Sequence, residues 1–329
     1  MAVSSKPVVW MPTRIHPDAH KLAVELFDVI QPGDERAANW WEYADGSVVR
    51  TGGIGVEEVE RAHKLKIISR NGVGYETIPV KTCLERGIVV TRLPGVNQKA
   101  VGELCVALTL AVLRRVAELD RRMRRGEFLP SIDWLGISAD EKVVGLVGMG
   151  NIAREYAWKM SRGWNTPIFV YSPTSSPLKW TDQDPSGEPP IPHTRVSSLD
   201  ELLQKSDIVS LHCPTTDATR GMIGKRELGL MKDTAVLINS ARGALIDEVA
   251  LLDALKNGII YGAGLDVLCH EPATPERYSE LYELENIVIQ PHVGGGTHEV
   301  QSSSCITAVR TVYSYLRGEG IGESIEVES

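Results

Sequence analysis

Three side chains with complementary chemistry follow three short apolar runs in the second half of the chain. Arg242 comes after TAVLINS, Glu271 after IYGAGLDV and His292 after NIVIQP. Such runs are typical of buried parallel strands, and in open α/β sheets the ligand crevice lies outside the carboxyl ends of the strands. We therefore expect the three side chains to converge at one edge of a sheet. Each residue alone could equally be a surface ion pair, a solvated turn residue or a buried histidine.

An arginine, a carboxylate and a histidine together suit the reduction of a 2-keto acid by hydride. A guanidinium can hold the substrate carboxylate in a fixed geometry and polarise the keto group. An imidazolium can donate the proton as a general acid, and a neighbouring carboxylate orients the ring and raises its pKa. The sequence therefore predicts an oxidoreductase whose catalytic residues are Arg242, Glu271 and His292.

The stretch GLVGMGNIA, residues 145–153, has the form of a dinucleotide-binding loop. Gly148 allows a tight turn, and Gly150 lets the backbone approach a pyrophosphate. The helix that follows offers free N–H groups and the positive end of its dipole. The third position usually holds glycine, and Ala153 is small enough for close helix–strand packing. The alternative is a strand-to-helix turn without a ligand.

The choice of cofactor depends on the residues after the second strand of this half. An NAD site usually places Asp or Glu there, about twenty residues beyond the glycine loop. Here no acid occurs between Tyr156 and Thr181, and the strand PIFVY is followed by the hydroxyl residues Ser172, Thr174 and Ser175. Hydroxyls can donate to a 2′-phosphate, which favours NADP(H) over NAD(H), although the arginine that often marks an NADP site is missing from this loop. A loop that tolerates either cofactor is the alternative.

The elements that must position these residues alternate along the chain. Short apolar runs separated by helix-length amphipathic stretches indicate parallel α/β layers. A long helical pattern at about 99–127 divides an early group of strands from a later one, and 297–317 is also predicted to be helical. Segment 173–192, rich in proline, serine and acids, is predicted to be an irregular surface loop. The predicted strands are 7–11, 65–69, 87–91, 142–148, 167–171, 206–213, 234–240, 260–267 and 286–291.

Composition excludes several other classes of protein. The 329 residues are 43% hydrophobic, and their net charge of −8 argues against a general nucleic-acid binder. Five scattered cysteines without a C-x-x-C pair predict neither a disulfide framework nor a zinc knuckle, and they favour a reducing compartment. No secretory signal and no apolar run of membrane-spanning length is visible, so we expect no membrane association and a cytoplasmic location.

Five segments in this order resemble the D-isomer-specific 2-hydroxyacid dehydrogenases, namely GLVGMGNIA, HCPTTDATRGMIG, INSARGALIDE, LDVLCHEP and PHVGGGTHE. The similarity covers nearly the whole chain and includes RNGVGYETIPV in the first half. It implies an α/β fold of two Rossmann-like or flavodoxin-like domains, each with a parallel sheet flanked by helices, and an active site in the cleft between them. The implied substrate domain is 1–98 with 297–329, and the implied dinucleotide-binding domain is 99–296. The long helix at 99–127 would pack across the axis of a homodimer.

The resemblance also implies a role for each matching residue. Arg242 would bind the substrate, Glu271 would pair with His292, and His292 would be the acid/base. Val73 and Gly74 would offer backbone N–H groups to the substrate carboxylate. No metal is implied. The implied cofactor-binding residues are Gly148, Gly150, Asn151, Ile152, Ser172, Thr174, Ser175, Cys213, Pro214, Thr219, Ser240, Ala241, Arg242, Asp266, His292, Gly294 and Gly295.

Other functions have less support in the sequence. A corepressor-like protein of the same fold could sense a nucleotide without turnover. A hydrolase lacks the G-x-S-x-G motif, and His292 and His298 do not form an H-E-x-x-H metal pattern. Formate is disfavoured as a substrate, because formate dehydrogenases of this superfamily have Gln at the place of Glu271.

Two further features have alternative interpretations. Trp40 and Trp41 could be core residues or a lid over an apolar substrate, and the core is favoured. A cluster of six arginines could attract an anionic partner, but a solvated helix end is favoured in an acidic protein. The predicted long helix at 99–127 also carries an apolar stripe that could be buried against a dimer partner. The stripe is formed by Leu104, Leu108, Ala111 and Val112. The six arginines are Arg114, Arg115, Arg121, Arg122, Arg124 and Arg125.

Overall fold

The computed structural model describes residues 6–328. The chain divides into two compact units. The first unit contains the residues up to Asn97 together with those from Gly295 onward, and the second unit is Gln98–Gly294. No helix among the described residues is both long and apolar enough to cross a membrane.

The strands are short. They are Val8–Trp10 (β1), Asp28–Ile30 (β2), Gly46–Val49 (β3), Ile67–Arg70 (β4), Val89–Arg92 (β5), Val144–Val147 (β6), Ile168–Tyr171 (β7), Thr194–Arg195 (β8), Ile208–Leu211 (β9), Val236–Asn239 (β10), Gly262–Leu265 (β11), Ile287–Ile289 (β12) and Ile325–Glu326 (β13). Five of them, β3, β6, β9, β10 and β11, are buried along their whole length.

The helices fill the intervals between the strands. They are Pro17–Leu26 (α1), Val56–Arg61 (α2), Val80–Glu85 (α3), Gln98–Leu113 (α4), Val116–Arg124 (α5), Asn151–Trp164 (α6), Leu199–Lys205 (α7), Lys225–Leu228 (α8), Glu248–Lys256 (α9), Pro275–Tyr282 (α10) and His298–Leu316 (α11). Short 3-10 helices lie at Ala37–Glu42, Ser131–Asp133 and Gly243–Leu245.

The sheet of the first unit has the strand order β13-β5-β4-β3-β1-β2. All neighbours are parallel except β13, which pairs antiparallel with β5. Without β13 this is the flavodoxin-like order. Successive residues of β4 point to opposite faces, and Ile67 and Ile68 enter two different hydrophobic clusters. Both faces of the sheet are therefore buried, which explains why the strand is a continuous apolar run.

Trp40 is part of the core of the first unit. It is 1% exposed and stacks on Trp10 with ring centroids 5.6 Å apart. Its indole N–H donates to the Glu58 carboxylate at 2.9 Å. Trp41 is half-buried, with the guanidinium of Arg61 over its ring. The core interpretation is the one that the structure supports for Trp40.

The sheet of the second unit has the order β12-β11-β10-β9-β6-β7-β8, and all its strand pairs are parallel. Counted from β6, this is the Rossmann order 3-2-1-4-5-6 with one more strand at the end. The order reverses between β6 and β9, and that point is the switch at which such sheets bind ligands. The two parallel sheets flanked by helices confirm the predicted fold class.

The predicted long helix at 99–127 is wrong, because two helices occupy that segment. Between α4 and α5, Arg115 has a left-handed backbone with φ of 55°. The chain returns to this break, where the Ile137 N–H donates to the Leu113 carbonyl at 2.8 Å. At the break, hydrogen bonds within a helix are thus replaced by one between residues that are far apart in the sequence. Leu108 and Val112, expected against a dimer partner, are buried in the core of their own unit.

Five of the six arginines around this break are paired with acids, which agrees with a solvated helix end. Glu118 accepts from Arg115 and Arg122, and its side chain is only 7% exposed. Glu285 accepts from Arg121 and Arg125. The pairing of these charges removes the argument for an anionic partner.

Candidate active site

The glycine loop joins β6 to α6 as the sequence motif requires. Gly148 has φ of 106°, and a Cβ there would lie 2.7 Å from the His212 carbonyl oxygen. Gly150 precedes α6 in an extended conformation and is exposed, so it presents bare backbone at the start of a 14-residue helix. Asn151 is exposed, Ile152 is half-buried, and Ala153 is fully buried. Alanine is therefore accommodated at the third position by packing.

The loop after β7 is where the second ribose of a dinucleotide would lie. Ser172 is 8% exposed, and its Oγ lies 2.8 Å from the Oγ of Ser175. Thr174 is exposed beside them. No arginine was evident here from the sequence, but the structure places Arg195 at this loop. From β8, its guanidinium donates to the carbonyls of Ser172 at 2.7 Å and Ser175 at 3.1 Å, and to that of Ser176 at 2.8 Å.

The proline-rich segment 173–192 is irregular, but it is not entirely a surface loop. Trp180 and Ile191 are each 2% exposed and belong to the core of the second unit. Arg154 of α6 holds the segment by an ion pair with Glu188 and a hydrogen bond to the Pro189 carbonyl. The segment is thus anchored on both sides of its exposed middle.

The polar and sulfur-containing side chains after β9 and β10 are held by contacts with neighbouring groups. Thr219 Oγ1 donates to the Pro214 carbonyl at 2.7 Å, and Cys213 Sγ lies 3.8 Å from the sulfur of Met222. Ser240, 8% exposed, has its Oγ 3.0 Å from Cys105 Sγ. These contacts fix the shape of the edge.

Arg242 lies on a short turn after β10 that is braced by a buried amide. The side chain of Asn239 accepts from the Ala241 N–H at 3.0 Å and donates to the Arg242 carbonyl at 2.8 Å. The Arg242 guanidinium donates to the Ala241 carbonyl at 2.7 Å. The backbone that carries the guanidinium is therefore fixed from both sides.

The backbone after Arg242 contacts the loop that carries Glu271. A Cβ on Gly243 would lie 2.1 Å from the carbonyl carbon of Leu268. Only glycine permits this approach, since real Cβ atoms do not come so close to backbone. The turn after β10 and the loop after β11 are therefore packed directly on each other.

His292 and Glu271 form a hydrogen-bonded pair. His292 Nδ1 lies 2.7 Å from Glu271 Oε2, and Glu271 Oε1 accepts the Leu268 N–H at 3.1 Å. Since Nδ1 is bonded to the carboxylate, Nε2 is the ring nitrogen available to a substrate. The pair is half exposed, with His292 at 51% and Glu271 at 36%.

Asp266 shapes the backbone at His292. His292 has φ of 57°, and its N–H donates to the Asp266 carbonyl at 2.8 Å. The Asp266 carboxylate, 1% exposed, accepts the N–H groups of Val293 at 2.7 Å and Gly294 at 2.8 Å. The buried carboxylate therefore holds the histidine in an uncommon left-handed conformation.

The electrostatics of the pair favour a protonated histidine. The hydrogen bond that His292 donates to Glu271 is the largest influence on the pKa of His292 and raises it above its ordinary value, against the effect of burial. Burial is the largest influence on the pKa of Glu271 and raises it, but His292 outweighs burial and the net pKa is lowered. The positive charge of Arg242 makes a smaller contribution, which lowers the pKa of both groups. Burial raises the pKa of Asp266 despite its two N–H donors.

The remaining site residues predicted from the sequence lie in the first unit. Val73 and Gly74 are in the irregular segment after β4, where Arg70 donates to the Gly74 carbonyl at 2.8 Å. Gly295 begins the last part of that unit, and its carbonyl accepts from Gln301 at 3.0 Å. The second unit thus brings Arg242, Glu271 and His292 together with the glycine loop on one sheet.

The chain is similar to known proteins along most of its length. Residues 106–294, more than half of the chain, match the family model of the D-isomer specific 2-hydroxyacid dehydrogenase NAD binding domain. The glyoxylate reductase of Thermococcus litoralis is 41% identical over 269 residues, 80% of this chain and 77% of that protein. The glyoxylate/hydroxypyruvate reductase B of Yersinia pestis strain Pestoides F is 34% identical over 312 residues, 94% of this chain and 92% of that protein.

A solved structure shows the same similarity over both units. The NADPH-dependent glyoxylate/hydroxypyruvate reductase of Sinorhizobium meliloti in complex with citrate is 25% identical, with a TM-score of 0.82. The match covers 97% of this chain and 98% of that chain. The resemblance inferred from the five motifs is confirmed, and the chain belongs to the D-isomer-specific 2-hydroxyacid dehydrogenase family of oxidoreductases.

Proposed function

We propose that the protein reduces a 2-keto acid to the D-2-hydroxy acid with a reduced nicotinamide cofactor, and that the same residues serve the reverse reaction. The observation that carries the proposal is the 2.7 Å hydrogen bond between Glu271 and His292 at the carboxyl edge of a dinucleotide-binding sheet. Glyoxylate and hydroxypyruvate are the first substrates to test, because the relatives above carry their names.

The residues of the second unit fit a dinucleotide. The exposed backbone at Gly150 and the start of α6 offer N–H groups to a pyrophosphate, with no Cβ in the way. Asn151 and Ile152 would lie over it, and Ser172, Thr174 and Ser175 would lie at the adenosine ribose. Gly148, Cys213, Pro214, Thr219, Ser240, Ala241, Asp266, Gly294 and Gly295 would complete the cofactor site. When bound, the reduced nicotinamide supplies the hydride that adds to the keto carbon.

Arg242 and the Glu271–His292 pair supply the substrate binding and the proton transfer of the reaction. The Arg242 guanidinium binds the substrate carboxylate and polarises the keto group, so that negative charge can develop on its oxygen. That oxygen then takes the proton from His292 Nε2, and Glu271 stabilises the imidazolium before the transfer. Val73 and Gly74 would offer their N–H groups to the same carboxylate.

We infer a preference for NADP(H) over NAD(H). The loop after β7 presents hydroxyls instead of the acid that would repel a 2′-phosphate. The Arg195 guanidinium adds a positive charge at the carbonyls of Ser172 and Ser175. Charge and hydroxyl donors together are the features that suit a phosphate rather than a ribose hydroxyl.

A homodimer is also proposed. The segment after α5 exposes large apolar side chains, with Phe128 at 90%, Ile132 at 72% and Leu135 at 66%. The segment is held in place at Trp134, whose ring lies 4.8 Å from the Arg115 guanidinium and 4.6 Å from that of Arg122. An ordered segment that exposes so much apolar surface is typical of an interface.

A substrate panel tests the proposed function. Oxidation of NADPH and NADH at equal low concentration should be measured with glyoxylate, hydroxypyruvate, pyruvate and a bulky aromatic 2-keto acid. We expect turnover of at least one keto acid, with higher kcat/KM for NADPH. Cofactor binding without turnover of any keto acid would contradict the proposal and point to a nucleotide-sensing protein.

A further inference from the structure

The loop that carries Glu271, residues 268–271, has three successive backbone N–H groups bound by side chains. The Leu268 N–H donates to Glu271 Oε1 at 3.1 Å. The Cys269 N–H donates to Glu248 Oε1 at 2.7 Å, and the His270 N–H donates to Tyr278 Oη at 3.0 Å. Two of these three partners lie outside the loop, so its shape depends on other elements.

Glu248 and Tyr278 are bonded to each other as well as to the loop. Glu248 is the first residue of α9, and Tyr278 lies on α10. The Tyr278 hydroxyl donates to Glu248 Oε2 at 3.1 Å. Tyr278 is 6% exposed, and burial strengthens such bonds by excluding water. Two helices and the loop are thus joined by one closed set of hydrogen bonds.

We propose that Glu248 and Tyr278 are positioning residues that hold the Glu271 loop so that its carboxylate faces His292. The proposal rests on the proposed function, because it assigns these two residues to the same reaction. Neither residue touches the substrate or the cofactor in it. They act through the backbone of the loop.

The bonds of Glu271 explain why the position of the loop matters. One carboxylate oxygen is bonded to the loop itself and the other to His292. A shift of the loop therefore moves the carboxylate away from the imidazole, and small displacements of catalytic groups cost much of the rate. The largest charged influences on the pKa of His292 are those of Glu271, Asp266 and Arg242. Glu248 is bonded to the Cys269 N–H and the Tyr278 hydroxyl, so it would influence the histidine through the geometry of Glu271.

The test compares Tyr278→Phe, Glu248→Ala and Glu248→Gln with the wild-type enzyme. The matched control is Tyr282→Phe, which removes a hydroxyl from an exposed tyrosine of the same helix. For each variant, kcat, the KM of the keto acid, the Kd of NADPH and the pH profile of kcat/KM for reduction should be measured, together with the urea midpoint of unfolding.

We expect Tyr278→Phe and Glu248→Ala to lower kcat roughly tenfold without changing the Kd of NADPH. The alkaline limb of the profile should move to lower pH by about half a unit, because a looser Glu271 raises the pKa of His292 less. Glu248→Gln keeps an acceptor for the Cys269 N–H and should stay within about threefold of wild type. Tyr282→Phe should match wild type.

Two results would overturn the proposal. One is an unchanged kcat and pH profile in both Tyr278→Phe and Glu248→Ala. The other is a lower kcat with an unmoved alkaline limb and a lower urea midpoint, which would show a purely structural role. Either result leaves the proposed function intact, since that is contradicted only by a wild-type enzyme that turns over no keto acid.

Discussion

At the scale of single residues, the chemistry of the site depends on which atoms are already bonded. His292 Nδ1 is bonded to Glu271, which leaves Nε2 for the substrate and favours the imidazolium. Because the pKa of His292 is raised, the stabilising effect of the pair is present below the ordinary histidine pKa and is lost as pH rises through the raised one. The pair is half exposed, so solvent screens this stabilising effect and keeps it small.

Glu271→Gln should test how the negative charge of Glu271 affects the pKa of His292. The amide keeps the size and shape of the side chain, but it has a single acceptor oxygen for the two hydrogen bonds and loses the charge that raises the pKa of His292, so less imidazolium is present near neutral pH. We expect kcat/KM for reduction to fall roughly 100-fold at pH 7.5 and the alkaline limb to move to lower pH. Asp200→Asn, at an exposed carboxylate on α7, is the control. An alkaline limb that stays in place would show that Glu271 does not set the pKa of the histidine.

Arg195→Gln should test the basis of cofactor choice. Loss of the guanidinium charge is expected to raise the KM of NADPH about tenfold, which is the effect of one charged hydrogen bond, and to leave the KM of NADH nearly unchanged. Arg226→Gln removes an exposed arginine of α8 and serves as the control. Equal effects on the two cofactors would mean that Arg195 only supports the loop through the Ser172 and Ser176 carbonyls.

At the scale of elements, the site is built where loops pack on one another without side chains between them. Gly243 lets the turn after β10, which carries Arg242, pack against the loop after β11, which carries Glu271. The same loop is held on its other side by α9 and α10. Backbone contacts of this kind make the spacing of the catalytic groups rigid.

Gly243→Ala should therefore disrupt the edge of the sheet. A Cβ would lie 2.1 Å from the Leu268 carbonyl carbon, so the backbone must shift, and we expect the free energy of unfolding to fall by about 3 kcal/mol. Gly163→Ala in α6 is the control, since a Cβ there meets nothing within 4 Å and helix propensity favours alanine. Urea unfolding measures both variants. Equal stability of the two would contradict the close approach.

At the scale of the whole molecule, the sheets of the two units have different strand orders. The features implied for the dinucleotide-binding domain lie in the second unit. The second unit has the Rossmann order and carries the glycine loop and the hydrogen-bonded pair of Glu271 and His292. The exposed segment at 128–135 belongs to the same unit. Its apolar side chains lie outside the core clusters, and a second copy of the chain would bury them in the proposed dimer.

Phe128→Asp combined with Ile132→Asp should yield a monomer. Two charges in an apolar interface are costly to bury, so we expect the dissociation constant of the dimer to rise at least 100-fold. Light scattering coupled to gel filtration gives the mass at several concentrations. Val24→Asp, at an exposed valine of α1, is the control. A monomeric wild-type protein, or a double variant that remains dimeric, would contradict the proposed interface.

The sequence by itself determined the fold class and the chemistry of the candidate site. Apolar runs indicate buried strands, and the residues just past the carboxyl ends of such strands lie at the ligand crevice. Arg242, Glu271 and His292 could therefore be selected without a structure. The strands β2, β3, β8 and β13 were not predicted. Of these, β2, β8 and β13 lie at the edges of their sheets and are at least partly exposed, so they lack a continuous apolar run, and β3 has only two apolar side chains, Val48 and Val49.

Only the tertiary structure decided the features that depend on bonds between distant residues. The helix break at Arg115 has neither proline nor glycine at it, and the Leu113 carbonyl beside it accepts a hydrogen bond from the distant Ile137 N–H. Arg195 reaches Ser172 from 23 residues away, and Glu248 reaches Cys269 from 21 residues away. The pattern of apolar residues along the sequence indicates which residues are buried. These hydrogen bonds, by contrast, form only once the strand order has brought their partners together.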